Sequence, residues 1–235
     1  MLHALGDINC KVSEGTATAG TLEALKLFLS YASWNTDASI LFRASGMALR
    51  TGSGGAHLAF PRSRSRAGGY HYLGNKDGTI FNAPTRALTK LIPLAAASAA
   101  KAELHSACQS ALRGLALRGA LRGMGHPQGA TTAAADSTTA TAILSGTPAS
   151  RYLEGAGMRL RWMKGRVKRK IFDAAWEASE ASLARYPSTK HSPTHHRKVR
   201  PIYTHQHDQS PATMQGCVNI LEGPAAASRA IAKPA

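Results

Sequence analysis

Leu22, Leu25, Leu27, Phe28 and Tyr31 follow helical spacing and predict a short amphipathic helix over residues 21–32, with Thr21 as its N-cap. The pattern then shortens. Residues 39–43 and 47–51 predict two brief strands, the second running into the glycine-rich Thr51-Gly52-Ser53-Gly54-Gly55-Ala56-His57. Residues 68–73 and 79–82 flank Gly74-Asn75-Lys76-Asp77-Gly78, whose Asn and Gly supply the positive φ of a hairpin turn. Pro84 and Pro93 bracket residues 85–92, a segment whose own composition is divided between helix and strand.

Over residues 95–123, Leu104, Ala107, Cys108, Ala111, Leu112, Leu115 and Leu121 fall near a 3.6-residue repeat and predict the longest helix, ended by Gly123 and Gly125. Arg113, Arg118 and Arg122 suit its C-terminal half through the helix dipole. A strand over residues 130–135 contains only Ala and Thr, small for a central position. Alanine in place of a buried large aliphatic costs on the order of 2–5 kcal/mol, against about 5–15 kcal/mol for a whole domain. A short helix over 137–144, a basic helix over 151–168 and a last strand over 171–176 complete the pattern. Trp162, spaced with Met158, reads as a core anchor. From residue 186 Pro, His, Ser and Thr dominate, and residues 206–235 read as a disordered end. The interleaving of helices and strands is that of an α/β protein.

Charge adds a partner class. Lys and Arg number 29 against 13 acidic residues, a formal net charge of +16, so polyanions, nucleic acid above all, are the natural partners. Cys10, Cys108 and Cys217 lie far apart without C-x-x-C spacing, which argues for a reducing compartment and against a disulfide framework. No run reaches the roughly 18 apolar residues of a membrane span, and no leader pattern opens the chain. The expected setting is intracellular, cytoplasmic or nuclear.

The motifs carry more. Residues 62–72 read R-S-R-S-R-A-G-G-Y-H-Y just after the glycine-rich run; Ala102-Glu103-Leu104 opens the long helix and Gly125-His126-Pro127-Gln128 closes it. Asp136-Ser137-Thr138-Thr139-Ala140, Met158-Arg159-Leu160-Arg161-Trp162, and Ala184-Arg185-Tyr186 with Thr189-Lys190-His191 follow in order. This ordered set resembles the ribonuclease H domain of copia-type retrotransposon polyproteins. The resemblance implies a ribonuclease H-like mixed sheet flanked by helices. It divides the chain into a remnant of the reverse transcriptase connection segment (1–45), the ribonuclease H-like domain (46–190), and a basic, His-rich then Ala-rich tail (191–235), largely disordered.

In that family four carboxylates hold two Mg2+ ions that cleave RNA paired to DNA, because two hard cations a few ångströms apart need concentrated anionic oxygen. The resemblance places two of them here, Glu103 and Asp136, as remnant catalytic and metal-binding residues. The other two positions hold Gly54 and Arg185. An arginine there sets a positive charge where a cation would sit, which costs several kcal/mol at an effective dielectric of about 20. The resemblance thus implies a degenerate, inactive enzyme. Two alternatives stay open: a non-catalytic basic nucleic-acid-binding protein, and an active nuclease with a rearranged metal site that recruits Asp77 or Glu154. For binding, the candidates are Arg159, Arg161, Lys164, Arg166, Lys168, Arg169 and Lys170, spread around most of one helix. His191, His195, His196, His205 and His207 form a second dense group, read either as a flexible basic tail or as imidazole ligands for zinc.

Overall fold

A computed structural model of the chain describes residues 2–36, 38–60, 63–78, 81–93, 96, 98–146, 157–179 and 182–204. Two helices, α1 (Leu2–Ser13) and α2 (Ala19–Ser33), precede strands β1 (Ala48–Phe60), β2 (Arg64–Gly74) and β3 (Pro84–Leu91). Helix α3 (Ala99–Gly123) leads to β4 (Thr131–Ala135), helices α4 (Thr138–Ser145) and α5 (Gly157–Lys168), strand β5 (Phe172–Trp176) and helix α6 (Pro193–Tyr203). The strands form one five-stranded sheet in the order β3-β2-β1-β4-β5. β2 runs antiparallel to both β1 and β3, whereas β4 is parallel to both β1 and β5. This is a mixed, ribonuclease H-like sheet flanked by helices.

Helix α3 starts cleanly because the Ser98 hydroxyl accepts from the Lys101 N–H. Every fourth residue on its inner face is small: Ala102, Ser106, Ser110 and Gly114, all buried. That stripe lies directly on the sheet. A Cβ at Gly55 would sit 3.0 Å from the Ala102 carbonyl carbon and oxygen and from the Glu103 nitrogen, and one at Gly114 would sit 2.9 Å from Thr51 Cγ2. The Ser106 hydroxyl is shared between the carbonyls of Gly54 (2.8 Å) and Gly68 (2.9 Å), and the Ser110 hydroxyl donates to the Gly52 carbonyl at 2.9 Å. Glycine on the sheet and serine on the helix bring two backbones together while satisfying the polar atoms they bury.

Beside the stripe, α3 shares an apolar core with α4, α5 and β5: Leu104, Ala107, Cys108, Ala111, Ala140, Ile143, Leu144, Leu160, Met163 and Phe172. The large side chains that β4 lacks come instead from these helices and from Phe172. On β2 a second cluster, Tyr70, Leu183 and Ala184 with Tyr72, Phe81, Ile202 and Tyr203, joins the strand to the 182–189 segment and α6. Buried Arg118 binds the carbonyls of Gln128 and Gly129, so it anchors the turn after α3. The Gln128 amide in turn accepts from the Leu49 N–H and donates to the Met47 carbonyl at the start of β1.

Several local expectations are corrected. Helix α2 begins earlier, with Thr18 as N-cap; Thr21 sits one turn inside and accepts from the Thr18 N–H at 3.1 Å. Thr21 is buried while Leu22 and Leu27 face solvent, so this helix is less amphipathic than its spacing suggests. Helix α1 has no counterpart among the expected elements. Residues 40–47 form no strand; β1 instead runs through the whole glycine-rich segment, because glycines there admit α3 on one side and the 182–189 segment on the other. Residues 81–82 form no strand and 79–80 lie outside the described residues; the strand paired with β2 after the turn starts at Pro84, with Tyr72 facing Pro84 and Ala87 facing Tyr70. Leu112 is 39% exposed and Met158 84% exposed, whereas Trp162 packs partly buried against the core. The tail expectation fails over residues 193–203, which form α6: the Ser192 hydroxyl caps it, and Val199, Ile202 and Tyr203 give it a buried face. Residues 95, 151–156 and 206–235 lie outside the described residues.

Two glycine substitutions separate packing from propensity. Gly55→Ala should lose roughly 1–3 kcal/mol in urea unfolding, because its Cβ meets helix backbone rather than a movable side chain. Gly119→Ala, in the same fold but with nothing within 4 Å, should gain roughly 0.5–1 kcal/mol from helix propensity.

Candidate functional site

The parallel strands β4 and β5 end side by side, with Ala135 opposite Trp176 and the Glu177 N–H donating to the Ala135 carbonyl at 2.9 Å. The next residue on each strand is therefore an acid beside an acid: Asp136 and Glu177. Helix α3 brings the third, Glu103, whose Oε2 accepts from the Gly55 N–H at 2.8 Å. Sequence reasoning finds Glu103 and Asp136 but misses Glu177; the signal is its place one residue past the last strand, as Asp136 is one past the fourth.

The position opposite these acids is filled by Arg185. Its Nη1 lies 3.3 Å from Asp136 Oδ2 and 3.0 Å from Ser179 Oγ, and the Ser179 hydroxyl donates to Asp136 Oδ2 at 3.2 Å. The Asp136 side chain is 7% exposed and that of Arg185 45% exposed, so the guanidinium reaches a buried carboxylate from the solvent side. Burial pushes the Glu103 carboxyl up to about 8; neighbouring Asp136 adds to the rise, while the Gly55 N–H and Arg185 oppose it. Burial also pushes Glu177 up to about 8, again with Asp136 contributing.

Gly54 contributes no ligand, and a side chain there would be crowded. A Cβ there would lie 3.0 Å from the Arg185 Cα and 3.1 Å from its nitrogen. At Gly68, paired with Gly54 across the hairpin, a Cβ would lie 2.4 Å from the Ala184 oxygen. Among the described residues no group of three His, Cys, Asp or Glu side chains is placed to hold a metal ion. Glycine at 54 and a guanidinium at 185 do not fit the donor set that a pair of Mg2+ ions requires. Of the two rescuing carboxylates considered, Asp77 lies in the turn between β2 and β3, and Glu154 is outside the described residues.

The histidines are held by aromatic neighbours. His196 Nε2 is 2.9 Å from the Tyr31 hydroxyl and its Nδ1 bonds the Tyr186 hydroxyl, so both ring nitrogens are engaged. His191 and His195 stack at 4.5 Å with planes 22° apart, and His191 Nε2 bonds Thr189 Oγ1 at 2.8 Å. Stacked rings do not converge on a shared point as tetrahedral ligands would. His205 and His207 lie outside the described residues.

Helix α5 turns Leu160 and Met163 into the core. Arg159, Arg161 and Lys168 are exposed, as are Arg169 and Lys170 in the turn that follows, while Lys164 and Arg166 are half-buried. The Arg166 guanidinium lies over the Trp162 ring at 5.4 Å. Among the described residues no ion pair engages any of these cations. No helix of the described residues is long and apolar enough to cross a membrane.

No family model matches the chain, and no curated protein matches it. Among solved structures it is similar to the N-terminal ribonuclease H domain of a Mycobacterium tuberculosis protein, solved as a fusion with maltose-binding protein. The TM-score is 0.38 and the identity 14%, over 60% of this chain and 87% of that one. The fold rests on the strand order and directions of the chain itself.

Away from the acids, His71 on β2 is fully buried with neither ring nitrogen hydrogen-bonded, and burial, with Arg86, lowers it to about 4. The two kinds of group give opposite pH dependences. Glu103, raised above its ordinary value of 4.5, contributes stability that is complete below pH 4.5 and is lost as pH rises through about 8. His71, lowered from 6.5, contributes stability that is complete above pH 6.5 and is lost as pH falls through about 4. Urea unfolding across this range should show a decline at both ends, on the order of a few kcal/mol. Glu103→Gln should make the alkaline limb shallower, with the share of Glu177 remaining, and leave the acid limb in place.

Proposed function

We propose that the chain is a nucleic-acid-binding domain on a ribonuclease H-like fold that does not cleave its ligand: a degenerate form of the ribonuclease H domain of a copia-type retrotransposon polyprotein. The observation that carries the binding role is the outward side of α5 and the turn after it, where Arg159, Arg161, Lys168, Arg169 and Lys170 stand exposed and outside any ion pair among the described residues. Such cations bind phosphates by displacing condensed counter-ions, which gives affinity without base readout. The ligand class is RNA–DNA hybrid or other nucleic acid taken without sequence preference, in the cytoplasm or the nucleus.

Loss of cleavage follows from the acid cluster. Ancestrally, in this reading, Mg2+ held by four carboxylates would supply the hydroxide and stabilise the leaving oxygen; in this chain Glu103 and Asp136 remain, Gly54 has no donor, and Arg185 occupies the cation's side of Asp136. One observation favours a second reading. Glu177 stands beside Asp136 as a third acid on which a rearranged metal site would draw, although the three are not placed to hold an ion as they stand.

The deciding experiment uses purified full-length chain with a labelled RNA–DNA hybrid in Mg2+ or Mn2+. The proposal expects no cleavage, together with binding whose logarithm falls linearly with the logarithm of salt concentration. Changing Arg161 and Lys168 to Glu should weaken binding to all sequences alike and reduce the salt slope by about 1 for each phosphate that is no longer neutralised. Metal-dependent cleavage abolished by Glu177→Gln would establish the second reading instead.

A further inference from the structure

A buried carboxylate needs a counter-charge from somewhere. In ribonuclease H chemistry that charge arrives as a metal ion; in this chain the neighbouring cation is covalently attached. Asp136 is 7% exposed, stands between Glu103 and Glu177, and meets the Arg185 guanidinium 3.3 Å away. Arg185 is held by its own backbone. Its carbonyl accepts from the Ser188 N–H and Oγ at 3.0 and 2.9 Å and from the Thr189 N–H and Oγ1 at 3.2 and 3.1 Å, and its N–H donates to the Ser182 carbonyl at 3.3 Å. The same turn rests on a floor of glycine, where Cβ atoms at Gly52, Gly54 and Gly68 would meet Ala184, Arg185 and Ser188 at 3.3, 3.0 and 2.6 Å respectively.

We infer that Arg185 is a built-in counter-ion: its guanidinium does for the Asp136 cluster what a divalent cation would otherwise do, and the domain is stable and binds nucleic acid without taking a metal there. This rests on the non-cleaving reading above and adds to it the identity of the group that neutralises the site. Ser179 completes the arrangement, bridging guanidinium and carboxylate through one hydroxyl.

The test uses the full chain without nucleic acid. Wild-type thermal unfolding should be the same in EDTA and in millimolar Mg2+ or Mn2+, and Mn2+ titration followed by water proton relaxation should detect no site that Glu103→Gln removes. Arg185→Gln should lower Tm by roughly 3–6 °C, a loss tempered by the exposure of the arginine. Asp136→Asn should cost less in the Arg185→Gln background than in the wild type, and Arg185→Lys should keep part of the stability. Additive effects of Arg185→Gln and Asp136→Asn, or a Mn2+ site abolished by Glu103→Gln, would overturn the inference. Additivity without hybrid cleavage sinks this inference alone; metal-dependent cleavage sinks the functional reading with it.

Discussion

Everything in this domain is arranged around the closeness of α3 to β1 and β2. The interface is made of small groups: Ala102, Ser106, Ser110 and Gly114 on the helix against Thr51, Gly52, Gly54, Gly55 and Gly68 on the strands. Close approach places the Glu103 carboxylate on the Gly55 N–H. On the other side of the same strands Gly52, Gly54 and Gly68 present no side chain, and the 182–189 segment rests there. One glycine-rich strand therefore sets both the depth of the acid and the position of the arginine that answers it.

The fold is legible in the sequence where large residues set the period and less so where small residues carry the packing. Residues 95–123 and 171–176 announce their helix and strand through Leu104, Ala107, Cys108, Ala111, Leu121 and Phe172, all of them in the observed core. The stripe of Ala, Ser and Gly on α3 gives no hydrophobic signal, because its contribution is approach and hydrogen bonding rather than buried area. The glycine run in β1 hides its strand for the same reason. At the C-terminal end, histidines and a proline suggest a flexible tail, yet Ser192, Val199 and Tyr203 are enough to cap and bury a helix there.

The site is half legible. Glu103 and Asp136 are found through a motif, and register alone brings Glu177 to them, since residues that follow adjacent parallel strands in step come out as neighbours. What no spacing rule shows is the bond between Arg185 and Asp136. It joins residues 49 positions apart and depends on the turn from Ser182 to Thr189 folding back on its own carbonyl. Composition records an excess of arginine but cannot separate those that face solvent on α5 from those, such as Arg118 and Arg185, that are engaged within the fold.

The turn carrying Arg185 and the glycine beneath it have a consequence for the routes open to this sequence under mutation. A carboxylate introduced at 54 meets the backbone of Arg185 before it can meet any ion. A carboxylate introduced at 185 withdraws the guanidinium and leaves Asp136 among acids with nothing to oppose them. Each step toward a conventional nuclease centre is thus uphill when taken alone, and only the two together, with the turn lifted, could arrive. The present arrangement is a local optimum from which single substitutions do not reach a metal centre.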